Sequence, residues 1–438
     1  MDTQTSTKTD EHLHLTIQIL KQLFDEESVK RVNVRLWDGT YWPDEAPRLA
    51  TLVLKHPGAL REMFQPGTEV GLGEAYLYDD FDVQGDLEQI FDIAYRLSEA
   101  SAGVEAKVRL GWELMRLPSR SRAQRVQSKR SSARLTGRPH SIERDRQAVT
   151  YHYDVSNDFY AMWLDRRLVY SCAYFRSPDD DLDIAQEQKL DYICRKLRLH
   201  PGQRVLDIGC GWGGLVMYAA EHYGVDATGI TLSQPQAELA NARIQSAGLA
   251  EKCRVLIQDY RQIDELQAYD VLVSVGMFEH VGAALLPAYF EQAYRLLRKG
   301  GVFLNHGIAC SIADEGRPNG SSFSQAYVFP DGELVPVSVT VRAAEEGGFE
   351  VRDVESLREH YVLTLRHWVK ALEAHHTQSL EVVDEPIYRT WRLYMSGSAY
   401  GFSVGNLNLY QTLLVKPQDD GRSGLPLRRE DWYRPPAK

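Results

Sequence analysis

The first hundred residues show two kinds of apolar spacing. Apolar and polar positions alternate over residues 32–37 and again over 49–54, and this alternation predicts two strands. Residues 13–24 and 87–97 instead carry apolar side chains every three or four positions, which predicts helices with one buried face. We therefore expect a small α+β domain over residues 1–105.

From residue 204 onward the pattern changes to strands that alternate with helices. Strands are predicted at 204–208, 225–230, 254–257, 270–275 and 302–306, with helices at 234–247 and 285–297. Repeated βαβ units predict an α/β fold with a doubly wound, mostly parallel, Rossmann-like sheet. The remaining pattern predicts helices near 339–347, 357–375 and 384–397 and a last strand at 408–415. We assign residues 146–438 to this larger domain.

Composition places the chain among ordinary globular proteins. It has 438 residues, of which 43% are hydrophobic and 25% charged, and this length allows two domains. The five cysteines include no C-x-x-C pair, so neither a zinc site nor a disulfide framework is indicated, and we expect no metal. The polar N-terminus and the lack of any run of eighteen apolar residues favour a cytoplasmic protein without a membrane span.

Charge is unevenly distributed along the chain. The formal net charge of -11 argues against nucleic acid as the main partner. Residues 107–138, however, contain ten basic residues and one acid, Glu113. Such a stretch is most often a solvated linker, and it can also be attracted to anionic lipid at about 1 kcal/mol per basic residue near the surface. We interpret residues 106–145 as a basic linker between the two domains.

A glycine-rich turn follows the first strand of the larger domain. Residues 204–215 read R-V-L-D-I-G-C-G-W-G-G-L, so Asp207 stands two positions before the first glycine. A nicotinamide site would add an acid about 20 positions later, but residues 228–233 contain none. Asp207 and the glycines instead form the D-x-G-x-G-x-G pattern of methyltransferases that use S-adenosylmethionine (SAM). The alternative is a turn that only packs a strand against a helix.

Further motifs extend this pattern, and together they resemble the cyclopropane-fatty-acyl-phospholipid synthases and their relatives that cyclopropanate mycolic acids. The similarity covers nearly the whole chain. It rests on H-Y-D at 152–154, Y-S-C-A-Y-F at 170–175, the glycine turn, Q-D-Y at 258–260, V-G-M-F-E-H-V-G at 275–282 and Y-V-F-P-D-G at 327–332. The motif G-L-G-E-A-Y at 71–76 resembles the N-terminal lipid-associated domain of the phospholipid enzymes, so residues 1–105 are expected to be such a domain.

The resemblance implies two sets of site residues. SAM contacts carry over onto Tyr170, Ser171, Asp207, Gly209, Gly211, Gly213, Gly214, Thr231, Gln236, Asp259 and Tyr260. A bicarbonate site, with its catalytic residues, carries over onto Cys172, Glu279, His306, Ile308 and Tyr361. Ser398 stands where a known bacterial member has a cysteine, so an essential thiol is in doubt at that position.

Some of these residues also have a purely structural interpretation. Cys172 and His306, taken alone, are most simply read as core residues, and His280 is expected to be structural. The aromatic residues of the 151–160 and 170–175 stretches suit a core as well as a channel for an acyl chain.

The family implies transfer of a methylene carbon from SAM to the double bond of an unsaturated phospholipid acyl chain, which gives a cyclopropane. A sibling activity would leave a mid-chain methyl or methylene branch, and the motifs do not separate the two. A nicotinamide-dependent oxidoreductase and a lipid-binding module with an inactive site are the alternatives from other classes. The expected partner is a membrane phospholipid, contacted peripherally from the cytoplasmic face of the inner membrane, and the family favours a homodimer.

Overall fold

A computed structural model describes residues 3–99, 103–120, 128, 131–153, 155–312 and 322–433. The chain divides into two compact units, each made of three segments. Unit 1 contains residues 1–132, 319–328 and 376–400, and unit 2 contains residues 133–318, 329–375 and 401–438.

Unit 1 is an α+β structure. Its elements are α1 (Thr3–Leu23), α2 (Glu26–Arg31), β1 (Val32–Arg35), β2 (Tyr41–Trp42), β3 (Ala50–Leu54), α3 (Ala59–Phe64), α4 (Glu69–Leu77), β4 (Phe81–Gly85), α5 (Glu88–Glu99), α6 (Val104–Arg116), α13 (Phe323–Tyr327), α16 (His376–Val382) and the part of α17 (Glu385–Ser403) up to residue 400. Among the described residues its sheet has four strands in the order β2-β1-β3-β4. The two strands and two helices predicted in this region are confirmed.

The glycine motif at 71–76 lies in α4 and makes close helix packing possible. A side-chain Cβ at Gly73 would lie 2.2 Å from Cδ2 of Phe323, so only glycine admits this ring. In the same helix Glu74 accepts a 2.7 Å hydrogen bond from the hydroxyl of Tyr327. The motif therefore packs against α13, a segment 250 positions later in the chain. The sequence around the motif does not indicate this partner.

The C-terminal helix of unit 1 is held by buried arginines. Arg389 donates to the backbone oxygen of Tyr76 at 2.9 Å and pairs with Asp79 at 2.9 Å. Arg392 donates to the hydroxyl of Tyr76 at 2.8 Å. Buried charges need such complete pairing, which explains why α17 belongs with residues from the start of the chain.

The first part of the expected linker is a helix. Residues 104–116 form α6, which packs against α1 and α3 through a face that includes buried Leu114 and, just after the helix, Leu117. Arg61 donates to the backbone oxygen of Leu117 at 2.8 Å and so satisfies an acceptor near the helix end. The expected basic linker from residue 106 thus begins within a helix, because apolar residues at helical spacing outweigh the basic composition. Of the basic residues in this stretch, Arg122, Arg125, Lys129 and Arg130 lie outside the described residues.

Unit 2 has the predicted α/β architecture. Its elements are α7 (Ile142–Tyr153), α8 (Asn157–Ala161), α9 (Leu182–Lys196), β5 (Arg204–Ile208), α10 (Gly214–Tyr223), β6 (Asp226–Thr231), α11 (Gln234–Ser246), β7 (Cys253–Ile257), β8 (Tyr269–Val275), α12 (Leu286–Leu296), β9 (Leu297–Cys310), α14 (Val337–Glu346), β10 (Glu350–Ser356), α15 (Arg358–Ala374), β11 (Leu407–Val415) and α18 (Glu430–Tyr433).

The sheet of unit 2 is mostly parallel. In the part of the chain that the structure describes it has seven strands, in the order β10-β11-β9-β8-β5-β6-β7. Strands β5 to β9 run parallel, whereas β11 is antiparallel to both of its neighbours. The predicted α/β class is confirmed. Strand β10 was missed because its side chains are largely half-exposed and show little alternation.

Alternate residues of β5 face two separate cores. Val205 packs into an apolar cluster with residues of α9, α10 and α11, whereas Leu206 and Ile208 pack into another with residues of α12 and α14. Asp207 follows the same alternation and shares its face with Val205. The side chain of Asp207 is thereby directed toward the α9 side of the sheet. Among the described residues no helix is long and apolar enough to cross a bilayer.

Candidate active site

The glycine turn connects β5 to α10 in the way its sequence predicts. Gly209, Gly211 and Gly213 have φ of +84°, +55° and +78°, values that favour glycine. At Gly209 a Cβ would lie 2.6 Å from Cβ of Met277, so the turn packs tightly there. At Gly211 a Cβ would meet nothing within 4 Å, so the backbone borders open space. Gly214 begins α10 and is enclosed by Val169, whose Cγ2 would be 2.9 Å from a Cβ.

A cleft opens beyond the carboxyl ends of β5, β6, β7 and β8. It holds about 710 Å³ of empty space, a volume that includes the solvent at its open mouth. Six of the eleven residues predicted to contact SAM line it: Gly209, Gly211, Thr231, Gln236, Asp259 and Tyr260. The other five, Tyr170, Ser171, Asp207, Gly213 and Gly214, are outside this lining. Residues of α7 also line the cleft, among them Tyr153 of the H-Y-D motif and Asp145, which the sequence analysis did not single out.

Asp207 is a buried carboxyl group at the base of the turn. It is 2% exposed, and its Oδ1 has no hydrogen-bond partner among the described residues. Burial raises the pKa of Asp207 to about 7, and the nearby positive charge of Lys189 opposes this rise. Lys189 is itself buried on α9, and its Nζ donates to Oγ of Ser171 at 2.9 Å. Lys189 thus links two predicted SAM residues, and sequence reasoning missed it.

Thr231 and Gln236 form an oriented pair after β6. The hydroxyl of Thr231 lies 2.8 Å from Oε1 of Gln236 and donates to it, because that amide oxygen can only accept. Nε2 of Gln236 is buried without a partner in the described part of the chain. Since Gln236 lines the cleft, this amide is placed to donate a hydrogen bond to a hydroxyl or carbonyl oxygen of a ligand.

Asp259 is held by an arginine that the sequence analysis did not identify. Arg261 donates to Oδ1 of Asp259 at 2.8 Å and to Oδ2 at 2.6 Å. The same guanidinium donates to Asp145 of α7 at 2.8 Å. These ion pairs raise the pKa of Arg261 above its ordinary value. Arg261 therefore joins α7 to the segment after β7. In that segment, burial raises the pKa of Tyr260 to about 12.

Aromatic rings surround Tyr170. Its ring centroid lies 5.2 Å from that of Trp368 and 5.7 Å from that of His152, which also stacks on Phe329 at 3.9 Å. Phe159, Tyr160 and Phe175 are buried among such neighbours. These three side chains act as core residues in this arrangement.

Glu279 lies directly after β8 and contacts β9. Its Oε1 accepts a 2.6 Å hydrogen bond from the backbone N–H of Ile308. Its Oε2 is enclosed and has no partner among the described residues. Burial raises the pKa of Glu279 to about 7, so much of this carboxyl group is neutral near neutral pH. The neighbouring His280 lines the cleft, and burial lowers its pKa to about 4.

His306 lies on β9 and its proton position is set by a chain of hydrogen bonds. Lys196 can only donate, and its Nζ lies 3.0 Å from one amide atom of Gln411, which must therefore be the oxygen. The amide nitrogen of Gln411 then donates to Nδ1 of His306 at 3.2 Å. Burial lowers the pKa of His306 well below its ordinary value. The neutral imidazole therefore carries its proton on Nε2, which is buried without a partner in the described residues.

Cys172 and Tyr361 both contact the backbone oxygen of Leu357, which lies just before α15. The Cys172 thiol is fully buried and lies 3.8 Å from the backbone oxygen of Leu357. The N–H of Leu357 donates to the oxygen of Leu409, which pairs in register with Ile308. Tyr361 is 8% exposed, one turn further along α15. The structure therefore connects all five predicted residues of the bicarbonate set through β9, β11 and α15. Burial raises the pKa of Cys172 far above its ordinary value, so its thiol stays protonated.

Comparison with known proteins agrees with this architecture. A family model described as mycolic acid cyclopropane synthetase matches residues 140–412, well over half of the chain. The chain belongs to this mycolic acid cyclopropane synthetase family. It is a SAM-dependent methyltransferase of the cyclopropane synthase type, which confirms the resemblance drawn from its motifs. A separate domain family of unknown function matches residues 19–104.

Individual relatives of the family differ in how much of the chain they cover. A probable fatty acid methyltransferase of Pseudomonas putida is 41% identical over 406 residues, which are 92% of this chain and 96% of the relative. The cyclopropane-fatty-acyl-phospholipid synthase of Escherichia coli is 32% identical and covers 85% of this chain and 89% of its own. The crystal structure of the mycolic acid cyclopropane synthase CmaA1 with SAH and CTAB has a TM-score of 0.58 and 36% identity. It covers 61% of this chain and 97% of its own.

Proposed function

We propose that this enzyme converts double bonds of unsaturated phospholipid acyl chains into cyclopropanes, with SAM as donor of the methylene carbon. The observation that carries the proposal is that two enclosed polar atoms, Oε2 of Glu279 and Nε2 of His306, have no partner among the described residues. Glu279 contacts Ile308, two positions after His306 on β9, and its neighbour His280 lines the cleft. Simple methyl transfer to an alkene leaves a cation, and ring closure needs a proton acceptor at that point. The similarity to the Escherichia coli phospholipid enzyme, which extends over 85% of this chain, supports a phospholipid substrate.

Several residues of the cleft fit SAM. Open space beside Gly211 admits a ligand against the backbone, and the orphaned amide of Gln236 suits a ribose hydroxyl. Asp207 lies outside the lining, at the base of the glycine turn; in its ionised form it can balance the cationic amino group of SAM, which in turn favours the charged form of the carboxyl group. When bound, SAM supplies an electrophilic methyl group on a sulfonium. The buried aromatic residues around Tyr170 keep water from this region.

A bicarbonate ion fits the Glu279 and His306 pair. The Nε2–H of His306 can donate to an anion oxygen, and a Glu279 carboxyl kept neutral by burial does not repel the anion. We infer that His306 acts as a neutral donor, because its pKa is lowered well below the ordinary value. A positively charged His306 is thereby disfavoured. Tyr361 would complete the site, while the backbone N–H of Ile308 holds Glu279 in place. The bound ion would supply a proton acceptor that SAM does not methylate readily.

Gly211→Val is expected to abolish SAM binding, because the branched side chain would occupy the open space beside the turn. Isothermal titration of the wild type should show one SAM site per chain. Gly202→Val is the matched control, since Gly202 also has positive φ, +84°, and open surroundings, but lies in the turn before β5. Unchanged SAM affinity of Gly211→Val would refute the assignment of the cleft.

The product is tested by mass spectrometry of lipids from cells that express the protein. Cyclopropanation adds one carbon to an unsaturated chain, and fragmentation should locate a three-membered ring at the former double bond. A methyl or methylene branch at the same place would instead support the sibling activity. That second candidate is favoured by the names of two relatives, the probable fatty acid methyltransferases of Pseudomonas putida and Mycobacterium tuberculosis, which are 41% and 36% identical.

The proposed substrate also determines the expected location of the enzyme in the cell. An acyl chain in a phospholipid is reached from the bilayer surface, so we propose a peripheral protein at the cytoplasmic face of the inner membrane. The basic residues between 107 and 138 would be attracted to anionic headgroups there. A homodimer remains part of the proposal on the strength of the family resemblance.

A further inference from the structure

Helix α6 presents large apolar side chains to solvent on the side opposite its packed face. Val108, Trp112 and Met115 are 53%, 67% and 56% exposed, whereas Leu114 is 5% exposed. The three exposed residues are four and three positions apart, so they form one stripe along the helix. A surface helix ordinarily keeps apolar residues on its buried side, and an exposed stripe of this kind marks an interaction surface.

Basic side chains border this stripe. Lys107, Arg109 and Arg116 are exposed on the same helix. Glu113 accepts a 2.6 Å hydrogen bond from Gln22 of α1, which turns its charge toward the body of unit 1. The exposed acid of the helix, Glu105, lies in its first turn. The outer face of α6 is therefore apolar along its middle and basic along its edges.

We propose that this outer face, consisting of Val108, Trp112 and Met115 with their basic neighbours, inserts into the surface of an anionic bilayer. The inference rests on the proposed function, in which the acyl substrate lies in a membrane. Trp and aliphatic side chains enter the boundary between headgroups and acyl chains, while Lys and Arg contact anionic headgroups. A second copy of the chain fits less well, because two such faces would bring like charges together.

The two kinds of side chain give membrane binding two separable components. Attraction of the cations is screened as the Debye length shrinks from about 10 Å at 0.1 M salt to about 3 Å at 1 M. Burial of the apolar stripe does not weaken with salt. Binding to anionic vesicles should therefore fall as salt rises, but a salt-resistant part should remain that depends on Trp112.

The test is sedimentation of the full-length protein with vesicles of phosphatidylcholine, with and without phosphatidylglycerol, at both salt concentrations. Trp112→Glu should lower vesicle partition about tenfold or more at either salt concentration. The double variant Arg109→Gln with Arg116→Gln should lower it at 0.1 M salt only. Leu427→Glu is the matched control, because Leu427 is 100% exposed in unit 2 and should bind as the wild type does.

Wild-type binding by Trp112→Glu would overturn the proposal. A change in the oligomeric state of Trp112→Glu without lipid, measured by sedimentation velocity, would also overturn it and assign the stripe to a protein interface. Turnover separates this inference from the proposed function. Trp112→Glu should lose turnover on vesicles but keep turnover on the same unsaturated lipid in detergent micelles, whereas a wild type inactive on both would refute the proposed function itself.

Discussion

Glu279→Gln is expected to lower turnover by about 100- to 10,000-fold, the range typical for loss of general acid–base catalysis, while SAM affinity stays nearly unchanged. Glutamine keeps an oxygen for the 2.6 Å hydrogen bond from Ile308, so the loop after β8 should hold its conformation. It cannot exchange a proton with a bound anion. Initial rates in carbonate-free buffer, with and without added bicarbonate, measure the effect, and isothermal titration measures SAM affinity.

His306→Gln should behave in the same way, because glutamine has no Nδ1 to accept from Gln411, so its amide is not held where the imidazole Nε2–H is fixed. Glu291→Gln is the matched control for Glu279→Gln. It makes the same chemical change at an exposed position of α12, away from the site. We assign SAM binding to the cleft and proton acceptance to the bicarbonate site. This assignment is wrong if the turnover rate of the wild type is the same without bicarbonate. It is also wrong if the variants fail because they no longer bind SAM.

Gln411→Glu is expected to move the His306 proton from Nε2 to Nδ1 and to lower turnover by about 100-fold or more. A carboxylate at this position can only accept, so Nδ1 of His306 must become the donor. The substitution removes the amide that Lys196 orients in the wild type. The new carboxylate should nevertheless stay in place, because it would form an ion pair with Lys196. Nitrogen-15 NMR of labelled histidine reports the tautomer directly.

Gln245→Glu supplies the comparison, because it adds the same charge at an exposed position of α11. Its His306 signals and its rate should match those of the wild type. A wild-type spectrum with the proton on Nδ1 would contradict the hydrogen-bond chain through Gln411. A slow Gln411→Glu variant that retained the wild-type tautomer would mean that the residue acts on stability rather than on His306.

Much of the catalytic fold was predictable because its signals are local. The glycine turn is a short contiguous pattern, and a parallel sheet brings the residues after β5, β6 and β8 to one edge. Asp207, Thr231 and Glu279 could therefore be placed in a common region from sequence.

Other residues of the site were missed because no motif marks them. Lys189 and Lys196 lie on α9, separated from Ile193 by four and three positions, so the lysines share the buried face of this helix. Lysine repeated at the apolar spacing of a helix is a signal that could have identified them. Gln411 offers no comparable signal, because its role depends on the pairing of β11 with β9.

The N-terminal domain was predicted only in part for the same reason. Its strands and first helices follow local periodicity, but the partners of Gly73 and Tyr76 come from beyond residue 320. No pattern within residues 1–105 indicates which later helices pack against Gly73 and Tyr76.

The assembly of unit 1 from three chain segments has a consequence during protein synthesis. Domains generally fold as units, from the N-terminus, while the chain is still emerging from the ribosome. Unit 1 cannot do so, because α13 and the arginines of α17 are made after most of the larger sheet. The site at Gly73 stays uncovered until Phe323 has been made, and unit 1 is incomplete until residue 400 has been added. The nascent N-terminal segment is therefore a natural client for chaperones until α17 has been made, shortly before β11 completes the larger sheet.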